Sequence, residues 1–465
     1  MTRAPRRGRR VRGSARVAAL ALAAALVVLA APAGAVLPRP DERPSPARRT
    51  PVVAAVEKVR GAVVNVAAEE LVRIRERRQG SMAELLFGEL FERPRTRRGY
   101  AVTSLGSGVI VSPDGWVLTN NHVVERGTRF RVGLLDGREL LAKVVGTDPS
   151  SDLAVLRLDT KEKLPYATLG SSDGLLIGET VIAIGNPFGL SHTVTTGVVS
   201  AVHRSFKAGD RMLFDFVQTD ASINPGNSGG ALLDIEGRLV GVNTAILGDR
   251  NAGIGFAIPI DRARRVAEDL IAHGAVREGY VGITVDDLPA KDGRTDTSGG
   301  VVVTGVDPGS PAERAGVKKG DVVDSVQGFP PQNAEEFRFR VRDLAIGTAA
   351  RLELSRAGSR IQTQVGAVEL SPERVSELVA RRTGLVLGEE RVQGGALVVV
   401  KTVSRGSPAA RLGLQAGDLV REVNSTEVST LSEFRRAASR ARRSGELVLL
   451  VQRGYAAERI AFGID

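Results

Sequence analysis

Cysteine is absent from the 465-residue chain. Disulfide stapling, thiol chemistry and Cys-ligated metal are therefore excluded, and stability has to come from apolar cores. Histidine is nearly absent too. The four present, His122, His192, His203 and His273, show no metal-ligand spacing, so neither metal nor cofactor is expected. Aromatic residues make up only 4% of the chain. After the first 35 residues no apolar run is long enough to cross a bilayer. The net charge of +11 does not mark a folded basic face: the seven arginines of residues 1–35 account for +7 of it, and residues 36–50 add four more against Asp41 and Glu42. Charge placed in a leader and a tail, together with few aromatics, argues against nucleic acid as a partner.

What is present starts with that leader. A basic segment precedes an apolar run, Val17 to Ala31, and "AGA" at 33–35, the pattern of a signal peptide over 1–35. An uncleaved anchor stays open. Residues 36–50 are rich in Pro and Arg and read as an extended linker. From 51 to about 260, short apolar runs such as "GSGVIV" (106–111), "LAVLRL" (153–158) and "TVIAIG" (180–185) alternate with Gly, Asn, Asp and Pro. That spacing reads as an all-β sandwich or a pair of barrels. Residues 260–274 read as a helix, with Ile260, Val266, Leu270 and Ile271 on one side and Gly274 as C-cap. An Arg-rich insertion over 70–100 reads as a surface loop, although "LLFGELF" (85–91) is too apolar to leave in water. Further on, "GSPAERAGVKKGDVV" (309–323) recurs as "GSPAARLGLQAGDLV" (406–420), 97 residues later. A period of that size means two copies of a small α+β module.

One stretch carries chemistry. In "DASINPGNSGGAL" (220–232), Ser228 lies behind Gly226 and ahead of Gly229 and Gly230. A tight turn explains this as well as a nucleophile does, and the rest of the chain decides. A serine hydroxyl needs a base, and the base needs an acid to hold its tautomer. His122 follows the strand "GWVLT". Asp152 opens "DLAVLRL" and is preferred to Asp148, which precedes a proline and looks like a turn former. The order His122, Asp152, Ser228 is that of chymotrypsin-type triads. It divides base and acid (about 55–160) from nucleophile (about 165–262), with a cleft between. The amides of Gly226, Asn227 and Ser228 can converge on an oxyanion. Gly229 and Gly230 would let substrate backbone pass close by.

"TNNHVV", "SSDLAVLRL", "IGNPFGLSHTVTTGVVS" and "DASINPGNSGGAL", followed by the repeat, resemble the HtrA/DegP family of exported serine proteases with two PDZ domains. The resemblance implies a mainly β chain: a chymotrypsin-like double β-barrel protease domain over 51–275, then PDZ domains over 278–370 and 382–465. It further implies ATP-independent cleavage of misfolded proteins in the periplasm, homotrimers or multiples of trimers, and regulation by peptides at the PDZ domains. By position, Ile223, Ala245 and Ile254 match the S1 lining, and "FGELF" resembles part of a regulatory loop. PDZ modules take a C-terminal carboxylate on a glycine-containing loop. Tyr280, Val281, Gly282 and Ile283 fit that loop in the first copy, and Gly384 and Leu385 fit it in the second. A non-proteolytic holdase or PDZ adaptor on the same scaffold is the competing reading.

Overall fold

The computed structural model describes residues 46–75, 96–187, 192–208, 211–246, 253–288, 300–393, 395–441 and 446–463. The leader, most of the linker and the 85–91 segment lie outside them. Met1–Thr50 and Pro51–Asp465 are separate units, and the second carries both barrels and both repeat modules. A helix, α1 (Pro51–Val59), opens it where sequence spacing indicates strand, burying Ala55 and Val59.

Two closed barrels come next. The first contains β1 (Val63–Arg75), β2 (Thr96–Ile110), β3 (Trp116–Thr119), β4 (Arg129–Gly133), β5 (Glu139–Asp148) and β6 (Leu153–Leu158), in the order β1-β2-β3-β6-β5-β4. A one-turn helix, α2 (Asn121–Val124), lies after β3. The second contains β7 (Thr180–Gly185), β8 (Thr193–Ala208), β9 (Arg211–Thr219), β10 (Ala231–Asp234), β11 (Leu239–Ile246) and β12 (Gly255–Pro259), in the order β10-β11-β12-β9-β8-β7. The two orders are one connectivity used twice. Closure pairs the two end strands of each barrel, β1 with β4 and β10 with β7, and so removes the open edges. Alternation is clear in β4, where Phe130 and Val132 are buried between half-exposed neighbours. The flanks of the Arg-rich insertion are strand rather than loop: β1 and β2 pair out to Arg75 opposite Thr96.

Helix α3 (Ile260–His273) packs across β5, β6 and β11, so it ties both barrels together. It buries Ile260, Val266 and Leu270 and ends at Gly274 with φ +69°. Ile271 is 41% exposed, off the buried face.

The first repeat is a five-stranded sheet: β13 (Ile283–Asp287), β14 (Val301–Val306), β15 (Val322–Val326), β16 (Ala349–Arg356) and β17 (Ser359–Gly366), with α4 (Pro311–Arg314) and α5 (Ala334–Arg342). The second contains α6 (Pro372–Thr383), β18 (Leu385–Val392), β19 (Gly395–Val403), α7 (Pro408–Arg411), β20 (Leu419–Val423), β21 (Thr426–Glu427), α8 (Leu431–Ala441), β22 (Glu446–Arg453) and β23 (Ala456–Gly463). Helix α6 falls in the interval between the repeats and buries Val375 and Val379 in the second core. The modules repeat one clamp. Arg356 binds both oxygens of Asp321 (2.6 and 2.8 Å) and the Gly316 carbonyl; Arg453 binds Asp418 (2.6 and 2.7 Å) and the Gly413 carbonyl.

The first module seats on the second barrel. Phe214 and Phe339 lie 5.2 Å apart, His203 and Phe329 3.9 Å, and Asp343 pairs with Arg262 and Arg265 of α3.

Candidate active site

Strand register fixes where the three residues of the expected triad lie. Thr119, the last residue of β3, pairs with Ala154 at the start of β6. His122 comes three residues after that end and Asp152 one before β6 begins, so both emerge at the same barrel end. Ala231 at the start of β10 pairs with Val242 on β11. Ser228 precedes the one and Thr244 follows the other, again at a common end.

His122 Nδ1 lies 2.8 Å from Asp152 Oδ2, and the His122 amide donates to Asp152 Oδ1 at 3.0 Å. Asp152 holds φ +53°, a turn conformation that Asp tolerates better than most residues. Burial pulls the His122 imidazole down, but the hydrogen bond and charge of Asp152, helped by Glu125, outweigh it and raise the group above its ordinary value. Asp148, the rival acid, accepts from Ser150 and Ser151 instead, as a turn former does.

Thr244 connects the barrels, and no local sequence pattern signals it. Its hydroxyl donates to Asp152 Oδ2 at 2.7 Å, and its carbonyl accepts from Ser228 Oγ at 2.9 Å. His122, Asp152 and Ser228 are thus linked through one buried residue. In this state the Ser228 hydroxyl points its proton at Thr244. Ser107 on β2, fully buried, is the second residue that sequence reasoning misses. Its amide donates to the Ser228 carbonyl at 2.8 Å. Its hydroxyl donates to the Gly226 carbonyl at 2.6 Å and accepts from the Asn186 amide at 2.7 Å. The run "GSGVIV" identifies a strand but gives no hint of this role.

The glycines around Ser228 serve the protein's own packing. A Cβ on Gly229, which has φ +82°, would lie 2.1 Å from the Ser107 carbonyl oxygen, and one on Gly230 would lie 2.3 Å from that of Ile184. Both therefore let strands from the two barrels close on the loop, not substrate as the sequence suggests. Gly226 adopts φ +95°. The Asn227 amide is already bonded to the Asn224 carbonyl at 2.9 Å, so it leaves the expected oxyanion set. The amides of Gly226 and Ser228 donate to no backbone carbonyl among the described residues.

Ile223 is 1% exposed in the core of the second barrel, with its Cδ1 beside Gly255. Ile254 is half-buried one residue before β12, and Ala245 pairs through its backbone with Phe256. Three adjacent segments thus bring these positions together beside the Ser228 loop. The remaining histidines stand apart. His192 bonds the Val63 carbonyl, and His203 in β8 pairs with Asp215 at 2.6 Å.

In the first module Tyr280 donates to Asp307 at 2.6 Å. Gly282 has φ +82°, and a Cβ there would lie 2.2 Å from Ser310 Cβ. The amides of Val281 and Gly282 have no backbone acceptor among the described residues. The second module differs. Gly384 donates to the Ala380 carbonyl as the C-cap of α6, and Leu385 donates to Thr383 Oγ1. Two amides that sequence reasoning assigns to a carboxylate are thus already occupied.

A pair of closed six-stranded barrels with a His–Asp couple on one and a glycine-flanked serine on the other is the architecture of a trypsin-like serine peptidase. Comparison with known proteins agrees. A trypsin-like peptidase domain model matches residues 106–242, and PDZ domain models match 279–366 and 399–453. The chain is 38% identical over 390 residues to the periplasmic pH-dependent serine endoprotease DegQ of Escherichia coli K12, covering 82% of this chain and 85% of DegQ. It is 39% identical over 359 residues to the periplasmic serine endoprotease DegP of the same strain, covering 76% and 75%. Among solved structures, the HtrA-type protease AlgW with decapeptide superposes with a TM-score of 0.51 at 37% identity, over 68% of this chain and 98% of AlgW. The chain belongs to the HtrA/DegP family of periplasmic serine endoproteases.

Proposed function

We propose that His122 is the general base, Asp152 its orienting acid and Ser228 the nucleophile of peptide-bond hydrolysis in misfolded envelope proteins. The chain of bonds His122–Asp152–Thr244–Ser228 carries this reading. Reaction begins when the Ser228 hydroxyl turns from the Thr244 carbonyl to His122 Nε2. His122 takes its proton as Oγ attacks the substrate carbonyl, and Asp152 stabilises the imidazolium. The amides of Gly226 and Ser228 receive the oxyanion, each worth about 3 kcal/mol to the transition state. His122 then protonates the leaving amine, and water releases the acyl group by the reverse proton path. Ala245 and Ile254, with the buried Ile223 behind them, suit a small aliphatic side chain before the scissile bond, such as Val or Ala.

The resting position of the hydroxyl fits an enzyme switched on by a peptide. The first PDZ module supplies the receiver, with the amides of Val281, Gly282 and Ile283 facing a C-terminal carboxylate. AlgW, solved with a decapeptide, supports a peptide ligand for this chain as well. A homotrimer, which the family resemblance implies, completes the proposal, and sedimentation velocity tests it. The function itself is tested with unfolded casein: the wild type degrades it, and Ser228→Ala does not. Undiminished cleavage by that variant overturns the assignment.

A further inference from the structure

The peptide edge of the first PDZ module holds an arginine that the protease reading does not use. Strand β13 is one of the two edge strands of its sheet among the described residues, and α5 lies beside it in the opposite direction. At one end the Ala334 amide donates to Asp287 at 2.6 Å; at the other the Gly279 amide donates to the Arg342 carbonyl at 3.2 Å, next to the 281–283 loop. Arg338 lies midway on the helix. Its Nη2 donates to the Val285 carbonyl at 3.2 Å.

That carbonyl points outward from the sheet edge, where an added strand would bond. A ligand whose carboxylate rests on the 281–283 loop runs antiparallel to β13. Its last residue lies opposite Ile283, and the residue two before it lies opposite Val285. Side chains at i and i+2 face the same way in a strand, so both turn toward α5. The amide of the third residue from the end therefore needs the carbonyl that Arg338 holds, and its side chain enters the space beside the guanidinium. In the second module the arginine 97 positions on, Arg435, turns instead to Ser376 and Glu373 of α6.

We infer that Arg338 both covers the sheet edge of the first PDZ module and selects its ligands: the module takes C-terminal peptides with Asp or Glu third from the end. The acid draws the guanidinium off the Val285 carbonyl, which then accepts the ligand amide. A neutral side chain gives the displaced Arg338 no new partner. Asp287, already capping α5, and the exposed Asp286 repel acids placed further from the carboxylate, which confines the preference to that position. Ile283, half-buried and apolar, favours an apolar last residue. The inference rests on the reading of 281–283 as the carboxylate receiver.

The test uses the full chain with Ser228→Ala, so that probes stay intact. Fluorescein-labelled Gly-Ser-Gly-Ser-Glu-Val-Val, its Gln-for-Glu counterpart, and both as C-terminal amides are titrated by fluorescence anisotropy. The Glu peptide is expected to bind about fivefold tighter than the Gln peptide, as for a partly exposed charge pair. Arg338→Gln should abolish that ratio while binding the Gln peptide at least as well, because the Val285 carbonyl is then uncovered. Arg338→Lys should keep part of the ratio. Equal affinities of the Glu and Gln peptides for the parent overturn the inference alone. Amides binding as well as free acids, or no peptide binding at all, overturn the carboxylate reading and the inference with it.

Discussion

The hydroxyl of Thr244 reaches across the gap between the barrels and donates to Asp152 at 2.7 Å, while the Thr244 carbonyl holds the Ser228 hydroxyl. The first bond helps fix Asp152, which in turn holds His122. Thr244→Val keeps shape and burial and removes the donor. A hydrogen bond to a charged group contributes about 1.5–3 kcal/mol, so kcat should fall by about tenfold or more. Thr244→Ser should retain most activity. A Val variant within twofold of wild type contradicts the role.

The pH profile follows from the base. As the proposed base, His122 would act only when neutral, and its pKa is raised above the ordinary 6.5 because Asp152 outweighs the effect of burial. A raised pKa keeps the imidazole protonated to higher pH, so kcat/KM should fall on acidification through a midpoint above 6.5. Asp152→Asn should move the limb to lower pH and reduce kcat by about four orders of magnitude. The measurement is kcat/KM against pH with a chromogenic peptide carrying Val before the cleaved bond. A limb below 6.5 in the wild type counts against the coupling.

The Ser107 network gives a contrast between two variants. Ser107→Ala leaves the buried Asn186 amide without its acceptor, a cost of about 1–3 kcal/mol, and loosens the Gly226 carbonyl. Thermal stability and kcat should both fall. Gly229→Ala forces a Cβ into the Ser107 carbonyl at a positive φ. It should displace the Ser228 amide and lower kcat by about 100-fold or more. Casein assays and melting curves on both variants check this. Gly229→Ala with normal kinetics contradicts the packing account.

How much of the fold and site is legible in the sequence depends on range. Local patterns place strands such as Leu153–Leu158 and Thr180–Gly185 and helix α3, and the repeat exposes both modules. His122, Asp152 and Ser228 stand out because nucleophilic chemistry restricts residue types and their order. Thr244 and Ser107 do not, because their roles arise from register between strands far apart in the chain. A buried hydroxyl in a β run looks the same whether it joins barrels or only fills space. Asn227 and Gly384 mislead for the converse reason: their amides are used by local turns that a glycine pattern does not reveal. Helix α1 lies in an Ala/Val-rich segment where apolar runs fit helix and strand alike.

The Asp–Arg clamps should contribute stability to the PDZ modules that acid removes. The Arg356 bonds, outweighing burial, hold the Asp321 carboxyl below its usual range, and Arg453 does the same for Asp418. A depressed folded pKa contributes stability that is present above the unfolded value near 3.8 and lost as pH falls through the lower, folded one. Asp321→Asn should destabilise the first module by about 2 kcal/mol at neutral pH and flatten its acid unfolding, with Asp418→Asn acting likewise on the second. Urea unfolding at pH 7 and pH 3 measures both. An unchanged midpoint at pH 7 contradicts the clamp.

The most direct measurement is covalent. A biotinylated fluorophosphonate reacts preferentially with a serine hydroxyl that a neighbouring base can deprotonate. Mass spectrometry of the labelled wild type is expected to place the adduct on Ser228. Labelling should be absent from Ser228→Ala and His122→Ala and stronger when a C-terminal peptide is present. An adduct on another residue, or undiminished labelling of the His122→Ala variant, contradicts a nucleophile on one barrel activated by a base on the other.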